Sequence, residues 1–158
     1  MRVPAVGPPS DAVRRRMESQ RRKDTSPELA LRKALFIRGL RYRIHWPVPG
    51  RPRRTIDVAF PKARVAVFVD GCFWHGCPIH SVAPKNNGQW WERKLAANAA
   101  RDEETNQSLA AAGWQVLRAW EHEDPTDVAV RVWGLVKGGD LQLGGNHLGH
   151  LLDHGNDD

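Results

Sequence analysis

Residues 64–80 read Arg64-Val65-Ala66-Val67-Phe68-Val69-Asp70-Gly71-Cys72-Phe73-Trp74-His75-Gly76-Cys77-Pro78-Ile79-His80. Val65 to Val69 are apolar without alternation, as in a central strand covered on both faces. The run breaks at Asp70-Gly71 into a segment holding both cysteines of the chain and two of its seven histidines. Upstream, 41–45 and 55–60 read as strands, punctuated by Pro47, Pro49, Gly50 and Pro52, and Phe60-Pro61-Lys62-Ala63 makes a tight turn into the central run. Earlier still, Ser26 suits an N-cap, Pro27 the first helical position and Glu28 the helix dipole. Leu31, Ala34 and Leu35 then recur at helical spacing up to Gly39. Downstream, 90–112 is predicted to be helical and to stop at Gly113, 114–120 to be a strand, and 126–136 a short helix. The order α-β-β-β-α-β-α describes an α/β domain with a small mixed sheet flanked by helices.

The chain of 158 residues carries a net charge of +6, unevenly spread. Residues 1–54 hold fifteen basic and four acidic side chains; the remainder holds nine and fourteen. A basic front on a mildly acidic body implies a polyanionic partner. The expected organisation is a basic arm at 1–25, one domain at 26–137 and a flexible Gly- and His-rich tail at 138–158. The arm includes Arg14, Arg15 and Arg16 but has almost no aliphatic side chains, so alone it cannot offset its ordering entropy. A solvated tail and a helix formed against phosphates fit it equally. Two cysteines exclude a disulfide-stapled scaffold, and no apolar run reaches the ~18 residues of a membrane span. The expected location is cytoplasmic.

Cys72-x4-Cys77-x2-His80 has the spacing with which one loop wraps a tetrahedral metal, and His122, after Trp120-Glu121, is the natural fourth ligand. Thiolate and imidazole donors match zinc, and four protein ligands imply a closed, structural site. The alternatives are two free cysteines or a labile disulfide. His75 could replace His80 or stand beside the metal with a free ring. Asp57 lies between Ile56 and Val58, where strand alternation puts it on the opposite sheet face from both. A carboxylate there needs a cation or hydrogen-bond donors. Asp70, ending the next strand, could converge with it on a divalent metal, and oxygen ligands favour Mg²⁺.

At these residues the chain resembles the very-short-patch-repair (Vsr-type) DNA mismatch endonucleases. The resemblance rests on Lys-Asp-Thr-Ser-Pro-Glu at 23–28, Pro-Gly-Arg-Pro at 49–52 and Gly-Cys-Phe-Trp-His at 71–75. The Trp-rich helix with Asn98 and Arg101-Asp102, Gly113-Trp114-x-Val116-Leu117 and Trp120-Glu121 also match, so that it spans roughly residues 11–135. It implies a restriction-endonuclease-like core. The implied reaction is Mg²⁺-dependent nicking of one strand 5′ to the thymine of a T:G mismatch, the product of 5-methylcytosine deamination. On the matching positions, Asp57 corresponds to the metal-binding aspartate, His75 to the general base on the attacking water, and Glu28 to a first-helix glutamate near the metal. Cys72, Cys77, His80 and His122 are then left to hold zinc. Phe73, Trp74 and Trp91 correspond to aromatics that wedge into the duplex, and the basic segment to an arm that closes over DNA. The implied protein is a monomer near the nucleoid that hands its nick to repair proteins.

This chain departs from the better-known members at three points. Val69 replaces a threonine at the second metal position, so only its carbonyl could serve there; Asp70 replaces a histidine; and two zinc positions exchange Cys and His, with His80 one residue further along. On the Trp-rich helix, Lys94, Asn98, Arg101 and Asp102 form one polar stripe, and the resemblance extends phosphate contact to Lys94 and Arg101. Trp114 and Trp120 alternate on a strand as core residues. Two other functions compete: a restriction-type nuclease cutting intact duplex, and a non-enzymatic zinc-bearing DNA-binding module. The first lacks an Asp-x-Lys or Glu-x-Lys on 64–70; the second leaves Asp57 beside His75 unexplained.

Overall fold

The structure, a computed structural model, describes residues 10–12, 15, 23–72, 74–80 and 88–142. Its elements are α1 (Ser26–Ile37), β1 (Arg43–Val48), β2 (Arg51–Phe60), β3 (Val65–Asp70), α2 (Gly88–Ala111), β4 (Gln115–Trp120) and α3 (Pro125–Gln142), in the order expected. The four strands form one sheet, β1-β2-β3-β4. The pairs β1–β2 and β2–β3 are antiparallel, while β3–β4 is parallel, with α2 as the crossover that a parallel pair requires.

Central strand β3 is buried at every position except Val69, which is half-buried. Its alternate side chains feed two cores. Val65 and Val67 join Leu31 and Leu35 of α1 and Val128, Ala129 and Val132 of α3; Ala66 and Phe68 join Leu109 of α2. Helices therefore cover both faces, which is why this strand carries no polar alternation.

Four boundaries differ from expectation. Thr25, not Ser26, caps α1, its hydroxyl accepting from the Glu28 N–H at 3.5 Å. Glu28 in return accepts the Asp24 N–H at 3.1 Å, a near relative of the capping box. The connection around 47–52 contracts to Pro49-Gly50, with Gly50 at φ 77° as a proline–glycine turn requires. Pro47 is tolerated inside β1 because that strand is a sheet edge. Helix α3 runs past the expected domain boundary at 137, to Gln142. No helix among the described residues is long and apolar enough to cross a membrane.

The strict alternation expected around Asp57 is lost. Ile56 packs in the α2-side core and Val58 in the opposite one. On β1, His45 lies between the partners of these residues and has a left-handed φ of 50°. The ladder to β3 runs only as far as Val58, and the Asp57 carboxylate accepts the Val69 N–H at 2.9 Å where backbone pairing stops. Asp57 is thus placed by an irregularity in the sheet, not by its regular pleat.

Candidate active site and metal centre

One end of the sheet collects the chemistry. Here β3 delivers Asp70 and the loop 71–80, β4 delivers Arg118 and, just past its end, Glu121 and His122, and α2 lays a polar face across them. The loop is tied at several points. His75 N–H donates to the Gly71 carbonyl at 3.2 Å, Cys77 N–H to the Cys72 carbonyl at 3.0 Å, and Cys72 N–H to Glu121 Oε1 at 2.9 Å. Gly76, at φ 67°, supplies the left-handed turn between His75 and Cys77 that a β-carbon would strain.

Cys72, Cys77, His80 and His122 converge, with one ligand atom from each within 4.8 Å of the others. Cys72 Sγ lies 3.1 Å from His122 Nδ1; Cys77 Sγ lies 3.7 Å from His122 Nδ1 and 3.9 Å from His80 Nδ1. A tetrahedral ion with Zn–S of ~2.3 Å and Zn–N of ~2.0 Å has S···N edges of about 3.5 Å, in the middle of that range. Both sulfurs are buried free thiols and both imidazoles are exposed, so the cluster closes on the protein side and opens only to its own rings. The four residues can hold a metal ion. Trp120, expected in the core, is half-buried and stacks on the His122 ring at 6.5 Å and 10°. It steadies the one ligand that comes from outside the loop.

His75, two residues before Cys77, is not in this cluster. Its Nδ1 lies 2.6 Å from Asp102 Oδ2 on α2, and its Nε2 lies 3.9 Å from Asp70 Oδ1. Burial favours a protonated Asp102, but the hydrogen bond to His75 and the charges of Arg118 and His75 outweigh it and lower its pKa. An ionised Asp102 accepts a hydrogen bond from Nδ1–H, which leaves Nε2 of a neutral ring with a free lone pair. Burial opposes a charged His75, yet the Asp102 hydrogen bond and the charges of Asp70 and Asp102 prevail and raise its pKa. Asp102 was legible only as part of a polar stripe. The stripe that faces the site is Asn98, Asp102 and Asn106: Asn98 Nδ2 donates to the Trp74 carbonyl at 2.9 Å, Asp102 holds His75, and Asn106 accepts from Arg118 Nε at 3.0 Å. Lys94 and Arg101, by contrast, have exposed side chains.

Asp57 is the most perturbed carboxyl. Burial pushes its pKa from 3.8 up to about 6, against the Val69 N–H, and the negative charges of Glu28 and Asp70 push the same way. Burial likewise raises the pKa of Asp70, opposed by Arg118. Glu28 is 3 % exposed and accepts from Arg32 Nη2 at 3.3 Å. Three carboxyl groups in one electrostatic neighbourhood, one of them held near neutrality by burial, make a set of hard oxygen donors of the kind a divalent cation uses.

Among the aromatics expected to meet DNA, Trp74 is half-buried and lies 6.2 Å from Trp91 at 55°. Trp91 is 6 % exposed and packs edge-on against Trp90 at 4.8 Å. In the free protein Trp91 is thus buried between Trp90 and Trp74. Phe73, Arg14 and Arg16 lie outside the described residues, as do most of 1–25 and the tail beyond 142; Arg15 is exposed.

A mixed sheet with helices on both faces, delivering carboxylates and a histidine to one end, defines a restriction-endonuclease-like nuclease. Comparison with known proteins agrees. Residues 10–81 match the family described as DNA mismatch endonuclease Vsr. The type II nicking enzyme V.NaeI of Lentzea aerocolonigenes is 47 % identical over 124 residues, covering 75 % of this chain and 72 % of that protein. V.XorIIP of Xanthomonas oryzae pv. oryzae, also a type II nicking enzyme, is 44 % identical over 110 residues, covering 68 % and 77 %. V.HpaIIP of Haemophilus parainfluenzae, of the same description, is 38 % identical over 105 residues, covering 65 % and 72 %. The chain belongs to the Vsr family and is an endodeoxyribonuclease.

Proposed function

We propose that this endonuclease nicks one strand of duplex DNA 5′ to the thymine of a T:G mismatch, using Mg²⁺ at Asp57 and a structural Zn²⁺ at Cys72, Cys77, His80 and His122. The observation that carries the reading is the His75–Asp102 pair, 2.6 Å apart, inside the loop closed by Cys72 and Cys77 and beside Asp70, whose charge also acts on Asp57. The mismatch and nicking designations of the family and its members support it.

Hydrolysis forms one P–O bond from water and breaks another, so a proton must leave the water and negative charge must be tolerated on phosphate. Nε2 of neutral His75 takes that proton, while Asp102 fixes the ring and stabilises the imidazolium that results. Asp57, with the Val69 carbonyl and with Glu28 and Asp70 nearby, would hold Mg²⁺, which would supply charge neutralisation and water activation. Four sulfur and nitrogen ligands at tetrahedral spacing suit zinc better than a hard cation. The loop ends are thereby pinned on either side of His75.

Trp74 is the described aromatic placed to enter the base stack, with buried Trp91 supporting it from α2, and Phe73 is its neighbour in sequence. A mismatched step is the least costly to unstack, so a wedge selects its target by that weakness. Lys94, Arg101 and the basic arm with Arg14, Arg15 and Arg16 are the phosphate contacts. Trp74→Ala is expected to weaken binding of a T:G duplex about tenfold more than that of a matched one; equal weakening in a fluorescence titration would make Trp74 a packing residue only.

The reading is tested by incubating the protein and Mg²⁺ with paired T:G and T:A duplexes labelled on each strand. A single nick confined to the T strand of the mismatch is expected. Equal cutting of both duplexes would identify a restriction-type nuclease, and binding without cutting a zinc-bearing DNA-binding module. His75→Ala is expected to lower the nicking rate by about 10²–10⁴-fold while bound zinc stays stoichiometric by metal analysis. Loss of zinc in that variant would make His75 a ligand in place of His80.

A further inference from the structure

We infer that Arg118 is a positioning residue for His75, acting through Asp70 and Asp102 together, and that Asp70 belongs to this clamp and is not a ligand of the catalytic metal. This rests on His75 being the base in the reaction proposed above.

The observation is a closed ring of charges. The two carboxylates nearest His75 are those of Asp102, at 2.6 Å, and Asp70, at 3.9 Å. Both are also held by the single guanidinium of Arg118, whose Nη1 donates to Asp70 Oδ1 at 2.9 Å and whose Nη2 lies 3.7 Å from Asp102 Oδ1. The remaining faces of Arg118 are occupied as well. Its Nε donates to Asn106 Oδ1 at 3.0 Å, and its Cζ sits 4.3 Å from the centroid of the Phe68 ring. Phe68 is 7 % exposed and packed in the α2-side core, so the guanidinium has a rigid floor.

Each contact joins a different element. Asp70 ends β3, Asp102 and Asn106 lie one turn apart on α2, and Arg118 itself is on β4, whose partner in the ladder at this position is Phe68. The clamp therefore fixes the distance between α2, which orients the ring, and the strand from which the ring's loop departs. Only arginine can do this, because its planar fork addresses two carboxylates and an amide at once; a lysine offers one point charge. Without the guanidinium, two carboxylates would flank the imidazole with no counter-charge, and Asp102 would lose its second anchor. Asp70 points one oxygen at both Arg118 and His75, which is the geometry of a bridge within the ring.

The sequence carried half of this. Asp70 stood out as a replacement for a histidine, whereas nothing in the sequence singled out Arg118. The structure pairs the two.

The test measures single-turnover nicking and DNA affinity on zinc-loaded protein for Arg118→Met, Arg118→Lys, Asp70→Asn and the double variant Asp70→Asn/Arg118→Met. Arg118→Met is expected to lower the rate constant about a hundredfold, the scale of a misplacement near 1 Å, with DNA affinity and zinc content unchanged. Arg118→Lys should fold normally yet recover less than a tenth of the rate. The double variant removes both members of a buried pair, so it folds even if Arg118→Met does not, and its rate should fall no further than that of the worse single variant. A wild-type rate in Arg118→Met, or a loss confined to DNA affinity, would overturn the inference. Multiplicative losses in the double variant would overturn it too, by giving Asp70 an independent role at the metal. If His75→Ala itself nicks normally, the reading of His75 fails; if His75→Ala is dead and Arg118→Met is not, only the clamp fails.

Discussion

Asp57→Asn is expected to abolish nicking and at the same time to stabilise the metal-free protein. The substitution removes the charge proposed to hold the divalent cation but keeps an oxygen to accept the Val69 N–H. Losing a metal-borne stabilisation of several kcal/mol corresponds to a rate loss of about a thousandfold or more. DNA affinity, carried by other residues, should change little. The stability effect has the opposite sign, and its pH dependence follows from where the carboxyl titrates. In the folded chain its pKa is raised from 3.8 to about 6, chiefly by burial. A carboxyl that binds its proton more tightly when folded contributes fully below about pH 4, and that contribution is lost as pH rises through about 6. At pH 8 the native chain therefore carries an ionised, partly desolvated carboxylate. Asparagine relieves that by about 2 kcal/mol, allowing for the side chain being half-buried and not sealed. Melting without added Mg²⁺ should thus show Asp57→Asn above the parent at pH 8 and level with it near pH 4. A lower melting temperature at pH 8 would make Asp57 a structural residue and remove the electrostatic case for a cation there.

The two results together distinguish function from fold, because a residue selected for stability would not sit in this environment. They also explain which parts of the site were legible in the sequence. Asp57 stood out as a carboxylate inside an apolar strand and Asp70 as one at a strand end, whereas the roles expected of Glu28 and His75 came from the family resemblance. Cys72 and Cys77 were legible as metal-ligand candidates from spacing, and His80 was chosen over His75 only through the resemblance. The structure brings both cysteines together with His80 and His122 because the parallel β3–β4 pair sets their chain segments side by side. Asp102 and Arg118 were not legible, because nothing in a helical stripe or a β-rich strand says which distant residue it will meet. The pairing emerges only when the parallel β3–β4 ladder places Arg118 opposite Phe68 and α2 crosses above. The same limit affected Asp57. Its position between two apolar neighbours was read as regular alternation, whereas the left-handed His45 on β1 and the end of the β2–β3 ladder break that pattern. Trp120 shows the converse error: strand alternation suggested a core filler, whereas tertiary packing leaves it half-buried and stacked on a candidate metal ligand.

Cys77→Ser should be the most damaging substitution at the proposed zinc site, and more so than loss of either histidine ligand. The order follows from burial. Cys77 is fully buried, and its N–H is tied back to Cys72; His80 and His122 are exposed. Removing an exposed imidazole leaves three ligands and an open position that water can fill, so His80→Ala should retain metal with weakened affinity. Removing the buried thiolate leaves an ion with no replacement donor within reach, and a site that loses its metal also loses the folding free energy of binding it. Among its described residues the loop has no regular secondary structure to hold it; its ties include three backbone-donated hydrogen bonds, the Asn98 contact to Trp74 and the His75–Asp102 pair. Cys77→Ser is therefore expected to release zinc and to lower the melting temperature by more than about 10 °C, equivalent to roughly 3–5 kcal/mol for a domain of this size. Nicking should vanish even below the melting transition, because His75 lies two residues from the severed anchor and loses its fixed approach to Asp102. Metal analysis, thermal melting and single-turnover nicking on Cys77→Ser and His80→Ala would check the order. A Cys77→Ser protein that keeps stoichiometric zinc, or melts with the parent, would show that the four converging side chains are not what pins the loop.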